Sequence, residues 1–167
     1  HMGYLLLGVF VATQAGYQAV LFYALTYVFT TAVAFGVLTV VQHRQGEIEE
    51  ISSLRGLNSV YPWQAFVLLL ACFSMAGVPP LLGFMGKLAL FKVLIESHYT
   101  VIATIAITFA IIGAYYYIRI IQAMYFEEAE EGTLLLSATG GVKLCVILSG
   151  LTLLLLGLLP SGVLSLL

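Results

Sequence analysis

Residues 74–87 read Ser74-Met75-Ala76-Gly77-Val78-Pro79-Pro80-Leu81-Leu82-Gly83-Phe84-Met85-Gly86-Lys87, inside an apolar run from Trp63 to about Val93. That run is too long for one straight membrane crossing, which takes about 20 residues. Pro79 and Pro80 carry no amide hydrogen, so the carbonyls of Met75 and Ala76 lose the donors that a continuous helix would give them. Gly77 and Gly83 let the chain leave helical geometry on either side. An unpaired carbonyl in hydrocarbon costs several kcal/mol, so a break survives only where protein or water supplies a donor. The expected structure is two half-helices joined by a short extended peptide within the membrane, with Gly77, Pro79, Pro80, Gly83 and Gly86 shaping the break. Discontinuous helices of this kind mark ion and substrate sites in transporters.

Lys87 follows the break, among Leu, Phe and Ala. A lysine at the centre of a bilayer costs about 2.5–3.5 kcal/mol on insertion scales. Hydrocarbon disfavours the ammonium form, which is the condition for a lysine to exchange its proton. The plainer reading is a side chain that snorkels to the interface, roughly seven residues or about 10 Å away. A four-carbon stem reaches only about 6 Å, so that reading is strained. Lys87 is therefore the leading candidate for a proton carrier.

Composition fits this picture. Of 167 residues, 62 % are hydrophobic and 8 % charged, and the mean hydropathy is +1.09. A soluble domain carries about 25 % charged residues, so a water-soluble enzyme is excluded. A net charge of −2 excludes a basic nucleic-acid binder. Besides the interrupted span, the expected segments are about 1–15, 19–41, 100–125 and 142–160. The first is too short to cross alone and reads as the end of a span that begins upstream. His1-Met2 reads either as a vector remnant or as native sequence of a longer protein. The expected fold class is all-α: a polytopic transmembrane bundle with one discontinuous helix (63–94, broken near 77–83).

Charge concentrates in the linkers. Arg44, Arg55 and Lys143, with Arg119 near a helix end, oppose Lys92 on the other side. The positive-inside rule then assigns loops 42–62 and 126–142 to the cytoplasm. Glu127, Glu128, Glu130 and Glu131 read as a solvated acidic loop. Lys92 and Glu96, four residues apart, read as an interface pair, and Arg119 as a residue that snorkels or meets an acid. Trp63, Tyr61, Tyr99 and Tyr125 fall where an aromatic belt would lie. Cys72 and Cys145 read as packing residues. Thr26, Thr30, Thr31, Ser74, Thr104 and Thr108 could hold water wires, although bonding back onto their own helices is the default for such hydroxyls. His1 reads equally as a proton relay, a hydrogen-bonded structural histidine or a remnant.

The sequence has no G-x-G-x-x-G, no Walker A loop, no cysteine cluster and no metal-ligand spacing. No nucleophile has a plausible base beside it. No cofactor and no metal are expected in this chain. Proton handling remains as the chemistry.

These residues resemble a known family. His1-Met2-Gly3-Tyr4 is similar to the end of the "H-x-GY" helix in the antiporter-like membrane subunits of respiratory complex I. Ala76-Gly77-Val78-Pro79-Pro80 with Gly83-Phe84-Met85-Gly86-Lys87 resembles that family's interrupted helix. Ala114-Tyr115-Tyr116-Tyr117-Ile118-Arg119 with Met124-Tyr125 resembles the next helix of its N branch, and Glu49-Glu50 with Arg55-Gly56-Leu57 its preceding linker. The M branch carries glutamate where Lys87 stands, and the L branch tends to Ser-Lys-Asp. The resemblance implies the C-terminal part of an N-type subunit, from within its tenth helix to its fourteenth, and favours the native reading of His1-Met2. It implies that Lys87 is a proton-channel residue and that protons move as NADH reduces quinone elsewhere. It also implies that subunits M and K and the lipid bilayer are neighbours, without nucleic acid. The alternative is a D-type subunit of a multisubunit Na+/H+ antiporter, or the related subunit of a hydrogenase or photosynthetic complex.

Overall fold

The computed structural model describes residues 1–43, 50–129, 134–136 and 140–158; for 42, 43, 135, 136, 140, 142, 143 and 158 it describes the backbone only. Arg44, Glu47, Glu49, Glu130, Glu131, the end of the last expected span and the Lys143 side chain lie outside this description.

Helix α1 covers Met2–Phe10 and α2 covers Gln14–Val40. The joint between them lies earlier than expected, at residues 11–13. Thr13 causes this: its extended backbone and a side chain that accepts the Gly16 amide at 3.0 Å cap α2 and start it at once. After α2, strand β1 (Val41–His43) pairs antiparallel with strand β2 (Leu134–Leu136). A 3-10 turn (Ile51–Leu54) and a single helical turn α3 (Leu57–Val60) lead into α4 (Pro62–Ala76), with Pro62 at a first-turn position that needs no amide donor. Helix α5 (Leu82–Glu96) follows the break, then α6 (Thr100–Phe126) and α7 (Gly140–Leu158). The fold is an all-α transmembrane bundle. Helices α2 and α6, each of 27 residues, are long and apolar enough to cross a membrane alone, whereas α4 and α5 have 15 residues each and make one interrupted crossing.

Helix α2 packs along both half-helices, and its buried face divides the interior into three levels. At one end Val33, Val37 and Val40 join Ala65, Leu68 and Ala71 of α4, Met124 of α6 and Leu153 of α7. At the other end Ala19 and Tyr23 join Val11, Leu90 and Leu94 of α5 and Ala103 of α6. Between these apolar clusters come Thr26 and Thr30 of α2, Ser74 of α4 and Lys87 of α5, all buried. The break in the third crossing thus coincides with a polar seam through the middle of the bundle.

The described linker residues make specific contacts. Gly56 donates its amide to the Ala123 carbonyl at 3.0 Å, which caps the end of α6. Arg55 Nε meets Glu127 Oε2 at 2.6 Å, so at least one glutamate of the acidic run is paired. Tyr61 Oη donates to the Leu134 carbonyl at 3.3 Å. Lys92 and Glu96 form the expected exposed pair at 3.8 Å. Arg119 is exposed, with no acidic partner among the described residues. Cys72 is buried, but Cys145 is exposed on α7 rather than packed inside.

Leu57 is fully buried where the linker meets α4 and α6. We expect Leu57→Ala to destabilise the folded protein by about 2–5 kcal/mol. Lys92→Ala should change stability by less than about 1 kcal/mol, because its ion pair is exposed. Denaturant titration of both variants in detergent or bicelles checks the contrast.

Candidate functional site

The last turn of α4 has four carbonyls without helical donors, and each finds one. Gly77 and Val78 amides donate to the Phe73 carbonyl at 3.0 and 2.9 Å, and the Gly77 amide also reaches the Ser74 carbonyl at 3.1 Å. This closing turn has Gly77 in the left-handed region at φ +87°, where residues with a Cβ are strained. The remaining two carbonyls, Met75 and Ala76, are those that the prolines leave open. Lys87 Nζ donates to both, at 2.8 and 3.1 Å. The lysine reaches back across the break and caps the half-helix that precedes it. Its positive charge also sits at the negative end of that helix's dipole.

Lys87 does not snorkel; it is only 6 % exposed. Its Nζ lies 5.5 Å from the centre of the Tyr4 ring of α1, within range of a cation–π contact. Tyr4 in turn donates its hydroxyl to the Ala106 carbonyl of α6 at 3.3 Å, which ties α1 to α6 beside the lysine. A cavity of about 450 Å³ between α5 and α6 is bounded by Gly77, Phe84, Lys87, Phe91, Ile107 and Ile111.

The break itself is short: residues 77–81, with a cis Pro79–Pro80 peptide. Gly83 lies in the first turn of α5, and a Cβ there would run into the Ser74 carbonyl. Gly86 is not part of the break. It sits a turn further on, where a Cβ would press on Tyr23 Cδ2 at 2.7 Å, so its smallness serves the packing of α5 on α2.

His1 stands in the same seam. One ring nitrogen is 2.6 Å from the Tyr23 hydroxyl and the other 2.9 Å from the Tyr117 hydroxyl, and its ring stacks on Tyr27 at 4.9 Å. Each ring nitrogen thus faces a tyrosine hydroxyl, a group that can donate or accept. A space of about 10 Å³, the scale of one water, is lined by His1, Tyr23, Thr26, Thr30, Ser74 and Met75. It connects the histidine's surroundings to the break. The tyrosine partners did not stand out in the sequence, because ten tyrosines were available and their spacing to residue 1 carries no signal.

The hydroxyls divide into two kinds. Thr26, Thr31, Thr104 and Thr108 bond back to carbonyls four residues earlier. Thr30 and Ser74 instead face each other across the α2–α4 interface at 3.3 Å. Among the described residues there is no cluster of three or more metal-ligating side chains.

Residues 1–113 match the family described as "NADH:quinone oxidoreductase/Mrp antiporter, TM". Among curated relatives, NADH-quinone oxidoreductase subunit N of Coxiella burnetii is 43 % identical over 96 % of this chain and 33 % of its own length. The subunit N of Nitrosomonas europaea is 42 % identical over 99 % of this chain and 34 % of its own. A chain in the structure of respiratory complex I from Thermus thermophilus with bound aureothin superposes with a TM-score of 0.81 at 32 % identity, over 95 % of this chain and 35 % of that one. The chain thus spans about a third of the length of the relatives it matches.

Two substitutions test the geometry of the break. Gly77→Ala places a side chain at φ +87°, 3.1 Å from Lys87 Cδ, and should cost about 1–3 kcal/mol. Gly83→Ala should cost at least as much, since rigid backbone and not a flexible side chain stands in the way. Unfolding of the purified variants measures both, and parental stability in either would contradict the packing described.

Proposed function

The chain belongs to the NADH:quinone oxidoreductase/Mrp antiporter transmembrane family, and from that premise we propose that it carries a proton half-channel in the membrane arm of an NADH:quinone oxidoreductase, with Lys87 as the proton carrier. The observation that carries this reading is the pair of bonds from Lys87 Nζ to the Met75 and Ala76 carbonyls.

An ammonium has three N–H donors. Two are engaged by the half-helix, and the third is available for exchange. When that proton leaves, the neutral amine keeps two donors, enough for both carbonyls, and gains a lone pair that can accept a proton again. The cap therefore survives the proton cycle, and the backbone break remains satisfied in both charge states. The energies are of similar size. Because both bonds persist in the neutral amine, only the extra strength of a charged donor favours the ammonium, about 1 kcal/mol per bond, against about 2.5–3.5 kcal/mol for placing a lysine at the bilayer centre. Neither state is overwhelmingly fixed, so a charge change at a neighbouring buried group can tip the lysine from one to the other. The His1–Tyr23–Tyr117 cluster is a second polar stop in the same seam, and we assign His1 the role of relay.

In this reading, quinone is reduced elsewhere in the complex, this chain holds no redox centre or other cofactor, and subunits M and K are its neighbours. Loops 42–62 and 126–142 face the cytoplasm. The subunit N relatives support this reading over the Na+/H+ antiporter alternative.

In the full-length protein within its assembled complex, Lys87→Ala should lower NADH-driven proton pumping and coupled quinone reduction at least about tenfold. Lys87→Arg can still donate to both carbonyls but barely deprotonates. It should preserve assembly and restore only part of the pumping. Dye-reported acidification of membrane vesicles, normalised to assembled complex, reads both. Parental pumping in assembled Lys87→Ala would overturn the assignment. Sodium-dependent transport without NADH would favour the antiporter.

A further inference from the structure

Ser74 lies in the last turn of α4, immediately before the two residues whose carbonyls hold Lys87. Its Oγ does not bond back along α4. It accepts the amide of Gly83, in the first turn of α5, at 3.1 Å, and it lies 3.3 Å from Thr30 Oγ1 of α2. The Gly83 amide is one of the donors that a helix start leaves without an internal partner. One buried hydroxyl thus joins the end of the first half-helix, the start of the second and the long helix behind them. Both Ser74 and Thr30 are at most 2 % exposed, so no bulk water competes for these bonds.

The register of this junction matters. Gly83 and Lys87 are four residues apart, on the same face of α5. The point where α5 is held to α4 is therefore one turn from the ammonium, just as Ser74 is one and two residues from the acceptors. Gly83 is also pressed against the Ser74 carbonyl so closely that a Cβ would collide with it. Steric contact sets the approach of the two half-helices, and the Ser74 hydroxyl sets their direction.

We infer that Ser74, backed by Thr30, is a positioning residue for Lys87: its hydroxyl aligns the two half-helices so that the lysine meets both the Met75 and Ala76 carbonyls in each charge state. The inference rests on the proton-carrier role proposed for Lys87. Without the hydroxyl, α5 is free to turn about the Gly83–Ser74 contact, and the neutral amine, with only two donors, no longer reaches both acceptors.

The test uses the full-length protein in its assembled complex, with protons pumped per electron transferred as the readout, alongside the amount of complex. Ser74→Ala should lower the ratio about fivefold, the size expected for loss of one buried hydrogen bond, and Ser74→Thr should restore it. Thr30→Val leaves the Ser74–Gly83 bond in place and should lower the ratio about twofold, with Thr30→Ser at the parental value. If Ser74→Ala fails to assemble, the Val and Ser variants at Thr30 decide. A purely structural hydroxyl would reduce the amount of complex but leave the ratio per complex unchanged. Parental ratios in Ser74→Ala and Thr30→Val, with Lys87→Ala inactive, would overturn the positioning role alone. A parental ratio in Lys87→Ala would remove the proton-carrier reading, and the positioning role with it.

Discussion

Two peptide carbonyls in the middle of a membrane need donors, and the only cation of the bundle interior among the described residues supplies them. Pro79 and Pro80 cannot donate to Met75 and Ala76, water is scarce at that depth, and each unsatisfied carbonyl would cost several kcal/mol. Lys87 meets this demand by reaching back over the break at 2.8 and 3.1 Å. The same contact solves the lysine's own problem, since a charge in hydrocarbon requires polar partners. Break and lysine therefore depend on each other. A continuous helix would have no place for the amine, and an apolar residue at 87 would leave the broken helix open.

The rest of the architecture follows from the need to hold that contact still. Two apolar clusters, one around Val37, Leu68 and Ala71 and the other around Tyr23, Leu90 and Leu94, clamp the polar seam from both sides. Small residues allow the approach: Gly83 against Ser74, Gly86 against Tyr23. At the far end of the bundle, the Gly56–Ala123 bond and the Arg55–Glu127 pair tie one linker to the end of α6, and the β1–β2 ladder joins the two linkers to each other. These contacts keep the ends of α2, α4 and α6 in register, so the seam between them stays aligned.

Much of this is legible in the residues, for a physical reason. Paired prolines inside an apolar run have one meaning in lipid, and the identity of the deprived carbonyls follows from counting four residues back. Lys87 stands out because so few charges are present. The donor to those carbonyls could not be read, because it depends on how closely α5 returns to α4, a distance set by Gly83 and Ser74 together. Gly86 looked like part of the break because it is a glycine near prolines; only the position of Tyr23 on α2 shows otherwise. The hydroxyls were equally opaque. Thr26 and Thr30 are one turn apart on the same helix, yet Thr26 bonds back to Phe22 whereas Thr30 turns outward to Ser74. No local pattern separates them. Hydropathy alone starts α2 too late, because the polar residues at its head are helical and Thr13 caps them.

The Lys87 amine, bonded to the Met75 and Ala76 carbonyls, is the donor that makes the break tenable. Solid-state NMR of the full-length protein in lipid, with ¹⁵N in the lysine side chain and ¹³C in the carbonyls of methionine and alanine, measures this contact directly. The expected result is strong through-space transfer from Lys87 Nζ to both carbonyls, lost when residue 87 is replaced. Transfer to neither carbonyl, with the amine exchanging freely with bulk water, would contradict it.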